Sequence, residues 1–226
     1  MNELGFSFFG QSLQAASSGA LWWPEERLLC VSDLHLGKSN RIARRGGVML
    51  PPYETTETLQ NLADDVTRLN PATVVCLGDS FDDLDAAGSL SEANRARLAG
   101  LQAGREWVWI EGNHDPGPVD LGGSHVNSLA RRGLTFRHIW SGEPGEVSGH
   151  YHPKYAVPGV GGAKPCFLFD KSSLILPAYG TYTGGLHATD PALARCFSGP
   201  VMAIRTGRKP VAVPVLQGRA QGLRPF

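Results

Sequence analysis

Residues 27–35 read RLLCVSDLH, a short apolar run that ends on an aspartate and, two positions later, a histidine. An apolar run of this length between loop residues is typical of a strand buried on both faces. The pattern recurs in residues 73–79 (TVVCLGD) and 107–114 (WVWIEGNH), and each run again ends on polar side chains. The sequence therefore predicts three strands of one sheet that carry functional groups beyond their carboxyl ends.

Two segments with helical periodicity lie between these runs. Residues 54–69 carry apolar side chains at helical spacing, which predicts an amphipathic helix that ends near Asn70-Pro71. Residues 91–101 predict a second helix. Alternating strands and helices favour an α/β core with right-handed crossovers.

Strand-like runs flank this core on both sides. Two precede it, at residues 6–9 and 20–23. After residue 134, apolar runs alternate with glycine and proline turns and predict strands but no helix, at residues 134–139, 166–169, 174–176, 201–205 and 211–215. Two mixed β-sheets packed face to face and flanked by helices account for both halves. We therefore predict an α/β sandwich and a single domain over residues 1–226.

Composition limits the expected partners. The chain has 226 residues with 21 basic and 21 acidic side chains, hence a formal net charge of zero. A protein that wraps duplex DNA electrostatically is usually strongly basic, so any contact with nucleic acid is expected to be local. The four cysteines form no C-x-x-C pair and are expected to be free thiols of a reducing compartment. With no secretory signal pattern and no apolar run long enough to span a bilayer, we expect a cytoplasmic protein without membrane contact.

Four motifs, each after a strand-like run, contain residues with metal-binding chemistry. They are Asp33-x-His35, Gly78-Asp79, Gly112-Asn113-His114-Asp115 and Gly149-His150-x-His152. Each motif is common by chance, but the four in this order are not. Their mixture of carboxylate, imidazole and amide oxygen suits manganese, iron or zinc better than calcium. Two such ions about 3.5–4 Å apart clamp the attacking and leaving oxygens of a phosphoryl displacement, and Asp79 is the natural carboxylate to bridge them.

These motifs resemble those of the calcineurin-like metallophosphoesterase superfamily, over residues 29–153. The resemblance implies a four-layer sandwich and a phosphoesterase with two divalent ions, for which we expect Mn²⁺, with Fe or Zn as alternatives. The ligand set that it implies is Asp33, His35 and His152 for the first ion, and Asn113, His150 and one further histidine for the second, with Asp79 bridging the two ions.

The further histidine has two candidates, His125 and His138. His138 follows the strand-like run at residues 134–137 and so stands at a strand end like the other ligands, whereas His125 lies in a glycine-rich loop. We therefore choose His138. A third histidine, His187, stands near a glycine-rich turn and is expected to be solvated.

His114 is not needed as a ligand and can face the substrate phosphate beside Asn113, which is itself expected to contact substrate. Its expected role is general acid to the leaving oxygen or cationic stabiliser, with Asp115 orienting and charging its imidazole. A metal-bound hydroxide would be the nucleophile. Some proteins of this fold lack this histidine and serve as scaffolds, so its presence favours an enzyme. Asp82 and Asp83 fit equally well as partners of a ligand and as a solvated helix start.

A narrower resemblance extends over nearly the whole chain. Residues 33–38 (DLHLGK), 44–47 (RRGG), 51–52 (PP), 176–180 (LPAYG) and 183–185 (TGG) are similar to the bacterial PdeM group, described as ligase-associated DNA damage response endonucleases. This resemblance implies a DNA repair phosphodiesterase or endonuclease acting on single-stranded or nicked DNA. It also implies a functional association with a DNA ligase and a helicase.

Arg41, Arg44 and Arg45 lie in the loop after the first motif. If that loop borders the site they would hold a flanking phosphate of the substrate, but a run of arginines is more often a solvated face. Two other functions stay open. One is a small-molecule phosphoesterase acting on cyclic nucleotides or nucleotide diphosphates, and the other is a non-enzymatic, metal-stabilised interaction module of a repair complex.

Overall fold

Seven strands form the first of two β-sheets in the computed structural model, which describes residues 2–39, 53–157, 159 and 161–216. In chain order and in spatial order they are β1 (Glu3–Phe8), β2 (Gln11–Ala16), β3 (Leu21–Trp23), β4 (Leu28–Val31), β5 (Thr73–Leu77), β6 (Glu106–Ile110) and β7 (Ser124–Val126). Strands β1 to β4 pair antiparallel, and β4 to β7 pair parallel. The helices between the parallel strands are α1 (Glu54–Leu69), α2 (Leu84–Gly88) and α3 (Glu92–Gln102).

Eight strands form the second sheet. They are β8 (Leu129–Arg131), β9 (Leu134–Phe136), β10 (Glu146–Ser148), β11 (Lys154–Tyr155), β12 (Lys164–Phe169), β13 (Ser173–Ile175), β14 (Met202–Arg205) and β15 (Val211–Pro214), and a helical turn α4 (Pro191–Ala194) precedes β14. The spatial order is β15-β14-β12-β13-β10-β9-β8, with β11 added to β12. Strands β9, β10 and β13 are parallel to one another, so this sheet is also mixed.

The apolar core lies in three layers. Because alternate residues of a strand face opposite sides, Leu28 and Cys30 pack against the second sheet, whereas Leu29 and Val31 pack against α1 and α3. A third apolar cluster covers the outer face of the second sheet and includes Leu193 of α4. Two mixed sheets with few flanking helices are the predicted fold class, which is confirmed.

Several elements differ from the prediction, among them the six-residue strand β2 (Gln11–Ala16), which lies between the predicted strands at residues 6–9 and 20–23. The expectation of no helix after residue 134 is wrong by one turn, α4, where Asp190 accepts a hydrogen bond from the backbone N–H of Ala192 at 2.8 Å and a proline follows it. Asp83 caps α2 in the same way, through the N–H of Ala86. Strands β7 and β8 were not predicted because each has only three residues and little apolar character.

The cysteines and the helices also bear on the sequence prediction. Cys30, Cys76, Cys166 and Cys196 are all buried free thiols, as predicted. Within the described ranges, none of the helices combines the length and the apolar character that crossing a bilayer requires.

Candidate metal centre

The residues with metal-binding chemistry lie where parallel strands of both sheets end. Asp33 follows β4, Asp79 follows β5 and Asn113 follows β6 in the first sheet. In the second sheet, His138 follows β9 and His150 follows β10. Parallel strands end at the same edge of their sheet, so each sheet gathers its polar side chains at one edge. The two edges meet, since Oδ1 of Asp33 lies 3.9 Å from Nδ1 of His138.

Asp33, His35 and His152 form the first ligand cluster. Oδ1 of Asp33 lies 3.1 Å from Nε2 of His152, and the Nε2 atoms of His35 and His152 are 3.4 Å apart. Nδ1 of His35 faces Oδ1 of Asp82 at 3.1 Å, so Nε2 is the ring nitrogen that faces the cluster. Converging lone pairs beside a carboxylate are a donor set that suits a cation.

Asp79, His138 and His150 form the second ligand cluster. Nε2 of His138 lies 3.3 Å from Oδ2 of Asp79, 3.3 Å from Nδ1 of His150 and 3.0 Å from Oδ1 of Asn113. Nδ1 of His138 faces the carbonyl oxygen of Leu77 at 3.1 Å. This contact assigns the proton to Nδ1 and leaves Nε2 as the ligand atom, as the backbone does for many metal-bound histidines.

The charges at the site favour cation binding. Burial by itself would raise the pKa of the Asp79 carboxyl, but the hydrogen bond and charge of His138 hold that pKa at about 2. Burial likewise opposes ionisation of Asp33, yet His152 and His138 hold its pKa below the ordinary value. Burial and the charge of His138 lower the pKa of His150, which keeps its imidazole neutral. Burial opposes protonation of His138, but Asp79 and Asp33 raise its pKa. An ion at Nε2 of His138 would therefore compete with a proton, whereas the ionised carboxylates and His150 already favour a metal.

Ser32 supports the first cluster and was not predicted, because it lies inside an apolar run that otherwise looks structural. Its Oγ donates to Oδ2 of Asp33 at 2.5 Å. The same Oδ2 accepts the backbone N–H of His150 at 3.0 Å. Both contacts occupy Oδ2, so Oδ1 is the oxygen of Asp33 that faces the cluster.

The backbone at these ligands is unusual. Five residues of the two clusters have φ between 45° and 69°, namely Asp33, His35, Asp79, His150 and His152. This left-handed conformation costs a residue other than glycine about 1–3 kcal/mol and persists only where the surrounding structure imposes it. Here the chain turns directly after each strand, which lets both residues of Asp33-x-His35 face the first cluster and lets His150 and His152 face the second and the first cluster respectively.

The glycines of the motifs provide room for the ligands. A Cβ at Gly78, whose φ is +73°, would overlap the imidazole of His138. A Cβ at Gly149 would overlap Oγ of Ser32. These two glycines are therefore part of the site geometry, and their presence next to Asp79 and His150 in the sequence has a steric cause.

His114 lies beside the first cluster, with its ring centroid 5.3 Å from that of His35. Its Nδ1 lies 2.9 Å from the backbone carbonyl oxygen of Asp82, so the Nδ1 proton is directed there and Nε2 is left for other contacts. The side chain of Asp82 is buried and contacts His35. Of the two interpretations of Asp82, partner of a ligand and solvated helix start, the structure favours the first.

The structure corrects the role predicted for Asp115. Its carboxylate accepts backbone N–H groups of Ser80 at 2.8 Å, Phe81 at 3.2 Å and Gly112 at 3.0 Å, and it does not orient His114. Burial, with a contribution from the charge of Asp79, raises its pKa to about 6. Asp115 therefore joins the loops after β5 and β6, on which Asp79 and Asn113 stand.

Other candidates lie elsewhere. His125 is on strand β7 and not in a loop, and its ring stacks on Trp109 with the centroids 6.3 Å apart. His187 is exposed, as expected, and its Nδ1 lies 2.9 Å from Oγ1 of Thr189. The predicted phosphate-binding residues Arg44 and Arg45, with Arg41, lie outside the described residues.

Comparisons with known proteins agree with this geometry. The model of the calcineurin-like phosphoesterase family matches residues 26–187, a span that contains both ligand clusters and His114. The crystal structure of Pseudomonas putida nuclease MPE is similar to this chain with a TM-score of 0.74 and 26% sequence identity, over 95% of this chain and 100% of that one. No curated protein matches the chain.

Proposed function

This chain belongs to the calcineurin-like phosphoesterase family, and on that premise we propose that it is a phosphodiesterase with two divalent ions that cleaves nucleic acid. The observation that carries the proposal is that the two ligand clusters are adjacent. Oδ1 of Asp33 in the first cluster and Nδ1 of His138 in the second lie 3.9 Å apart. Membership of the family by itself supports a hydrolase of phosphoester bonds.

We propose that the two clusters are the ligands of the ions, which we expect to be Mn²⁺. Asp33, His35 and His152 would hold the first ion, and Asn113, His138 and His150 the second, with Asp79 shared between them. When bound, the ions would supply a nucleophile from water at neutral pH and offset the negative charge of the phosphate.

His114 is the proposed catalytic side chain outside the ligand set. The Asp82 carbonyl fixes its Nδ1, so Nε2 is the atom at which it would deliver a proton to the leaving oxygen or meet the charge of the phosphate. Asn113 is also proposed to contact the substrate. Asp115 contributes by fixing the loops that carry Asn113 and Asp79 and not by touching the substrate.

DNA is the proposed substrate, in single-stranded or nicked form, and repair the proposed context. The similarity to a protein titled a nuclease supports a nucleic-acid substrate. The resemblance to the PdeM group supports repair, whereas the zero net charge favours a contact confined to the site. The association with a DNA ligase and a helicase, the cytoplasmic location and the single-domain organisation stay predictions.

The test is hydrolysis by metal-stripped protein reloaded with Mn²⁺. A bis-aryl phosphate reports the chemistry, and single-stranded, nicked and duplex DNA with cyclic and diphosphate nucleotides report the substrate. We expect chelator-sensitive cleavage of the aryl diester and of DNA. Cleavage of nucleotides without cleavage of any polynucleotide would support the small-molecule function instead. If the protein hydrolyses none of these substrates with any divalent ion, the result would favour the non-enzymatic interaction module.

A further inference from the structure

An exposed tyrosine lies in a segment whose backbone contacts two residues of the first ligand cluster, and it has no role in the proposed chemistry. Tyr182 is 53% exposed and lies in the turn formed by residues 180–185. Its φ is 56°, a left-handed conformation that is rare for a bulky side chain. Such a conformation persists where surrounding contacts impose it, so the position of Tyr182 is determined by the structure around it.

The turn that carries Tyr182 is attached to the ligands at both of its ends. At its start, the N–H of Gly180 donates to the carbonyl oxygen of Asp33 at 3.1 Å. At its end, Gly185 approaches His152 so closely that a Cβ there would overlap the carbonyl oxygen of that histidine. Between them, Oγ1 of Thr181 donates to the carbonyl oxygen of Glu54 at 3.1 Å and fixes the turn to α1.

Two lysines border the same turn. Nζ of Lys38 donates to the carbonyl oxygen of Tyr182 at 3.3 Å, and Nζ of Lys154 donates to that of Thr183 at 3.0 Å. Each ammonium group has three N–H donors, so each contact leaves two for a ligand. The turn thus combines an exposed aromatic ring with two positive charges, in a chain whose formal net charge is zero.

We propose that Tyr182 is a stacking platform for an unpaired nucleobase next to the scissile phosphate, and that Lys38 and Lys154 bind the adjoining phosphates. Aromatic rings and lysines in this combination are typical of single-strand binding, because every base has a face that can stack and phosphates recur along the strand. In a duplex both faces of an internal base are already stacked. The inference rests on the proposed function and specifies its substrate as single-stranded nucleic acid.

The test measures binding separately from cleavage. Single-stranded and duplex oligonucleotides are titrated, by fluorescence anisotropy, against Mn²⁺-loaded protein that carries His114→Ala to prevent turnover. In this background, adding Tyr182→Ala is expected to weaken single-strand binding roughly tenfold or more, the size typical of one lost base–aromatic stack. Tyr182→Trp keeps the stacking surface and is expected to bind like the parent.

Phe9 offers a matched control. It is also an exposed aromatic residue, at 43%, with a left-handed φ of 45°. It contacts Gly145, which precedes β10, so it lies at the sheet edge opposite to the ligands. Phe9→Ala is therefore expected to leave single-strand binding and the hydrolysis of both DNA and the aryl diester unchanged.

Kinetics in the wild-type background provide the second readout. Tyr182→Ala should lower kcat/KM for a single-stranded oligonucleotide more than for a bis-aryl phosphate, chiefly through KM. Equal binding of single strands by the alanine variant and its parent would overturn the proposal, as would an equal loss for single strands and duplex. If the wild-type protein hydrolyses no phosphodiester, the proposed function fails, while the anisotropy data still decide the role of Tyr182.

Discussion

The two ligand clusters differ in what holds their side chains in place. In the first cluster, His35 is oriented by the carboxylate of Asp82, and the aspartate ligand is oriented by the hydroxyl of Ser32. In the second cluster, His138 is oriented by the backbone carbonyl of Leu77. A supporting side chain can be removed by one substitution, whereas a supporting carbonyl cannot. The first cluster can therefore be weakened directly, and the second only through the backbone around it.

A substitution of Asp79 should affect both clusters, because Asp79 is the proposed shared ligand. In Asp79→Asn the side-chain oxygen can still accept the N–H of His114, now 2.9 Å away, but the negative charge is lost. We expect both ions to be lost and hydrolysis to fall by more than the roughly 10–100-fold typical of residues behind the ligands. Metal content by mass spectrometry and turnover measure this. One ion retained at wild-type affinity would show that Asp79 serves a single cluster.

His114 should separate turnover from metal binding. We expect His114→Ala to keep both ions and to lose about 10²–10⁴ in kcat, the usual contribution of a general acid. His125→Ala is the matched control, since that histidine lies on β7 and outside both clusters. A His114→Ala enzyme with turnover close to wild type would contradict the assigned role.

A substitution of Gly78 should perturb the second cluster through the backbone. In Gly78→Ala the new methyl group would meet the His138 imidazole, at a φ of +73° that itself disfavours alanine. We expect weaker metal binding at the second cluster and a free energy of unfolding of the metal-free protein lower by at least about 1–2 kcal/mol. Denaturant titration in chelator and metal titration measure the two effects. Unchanged stability would mean that the loop after β5 can relax around the methyl group.

A substitution of Asp82 should perturb the first cluster through a side chain. We expect Asp82→Asn to weaken metal binding there by about 10–100-fold, because a neutral amide replaces the negative charge that faces Nδ1 of His35 at 3.1 Å. Asp79, His138 and His150 of the second cluster are unchanged, so the second ion should bind as before. The backbone carbonyl that contacts His114 is also retained. Stepwise metal titration by calorimetry distinguishes the sites. An equal loss of affinity for both ions would contradict the separate support of the two clusters.

The sequence predicted the parts of the site that depend on strand ends. Buried parallel strands are recognisable as apolar runs, and the residue that follows each run is at the sheet edge wherever the strands are parallel. For this reason Asp33, Asp79 and Asn113 could be expected to meet, and the same argument selected His138 over His125. The structure brings these side chains together, while their binding of ions stays a prediction.

Backbone geometry set the limit of the sequence prediction. Any residue has a carbonyl, so no pattern could show that Leu77 orients His138. Adjacency suggested that Asp115 contacts His114, but in a tight turn neighbouring side chains diverge, and Asp115 instead reaches the amides of Ser80 and its neighbour. The left-handed backbone at five ligand residues also has no signature in side chains that are not glycine.

The ligands come from both sheets, and this has a thermodynamic consequence. Ions held by Asp33 of the first sheet and His150 of the second would clamp the two sheets together at one end of the sandwich. By mass action, a free ion at 100 times its dissociation constant would add about 2.7 kcal/mol to the free energy of unfolding. The melting temperature would then follow the concentration of the free divalent ion, and chelation would lower it.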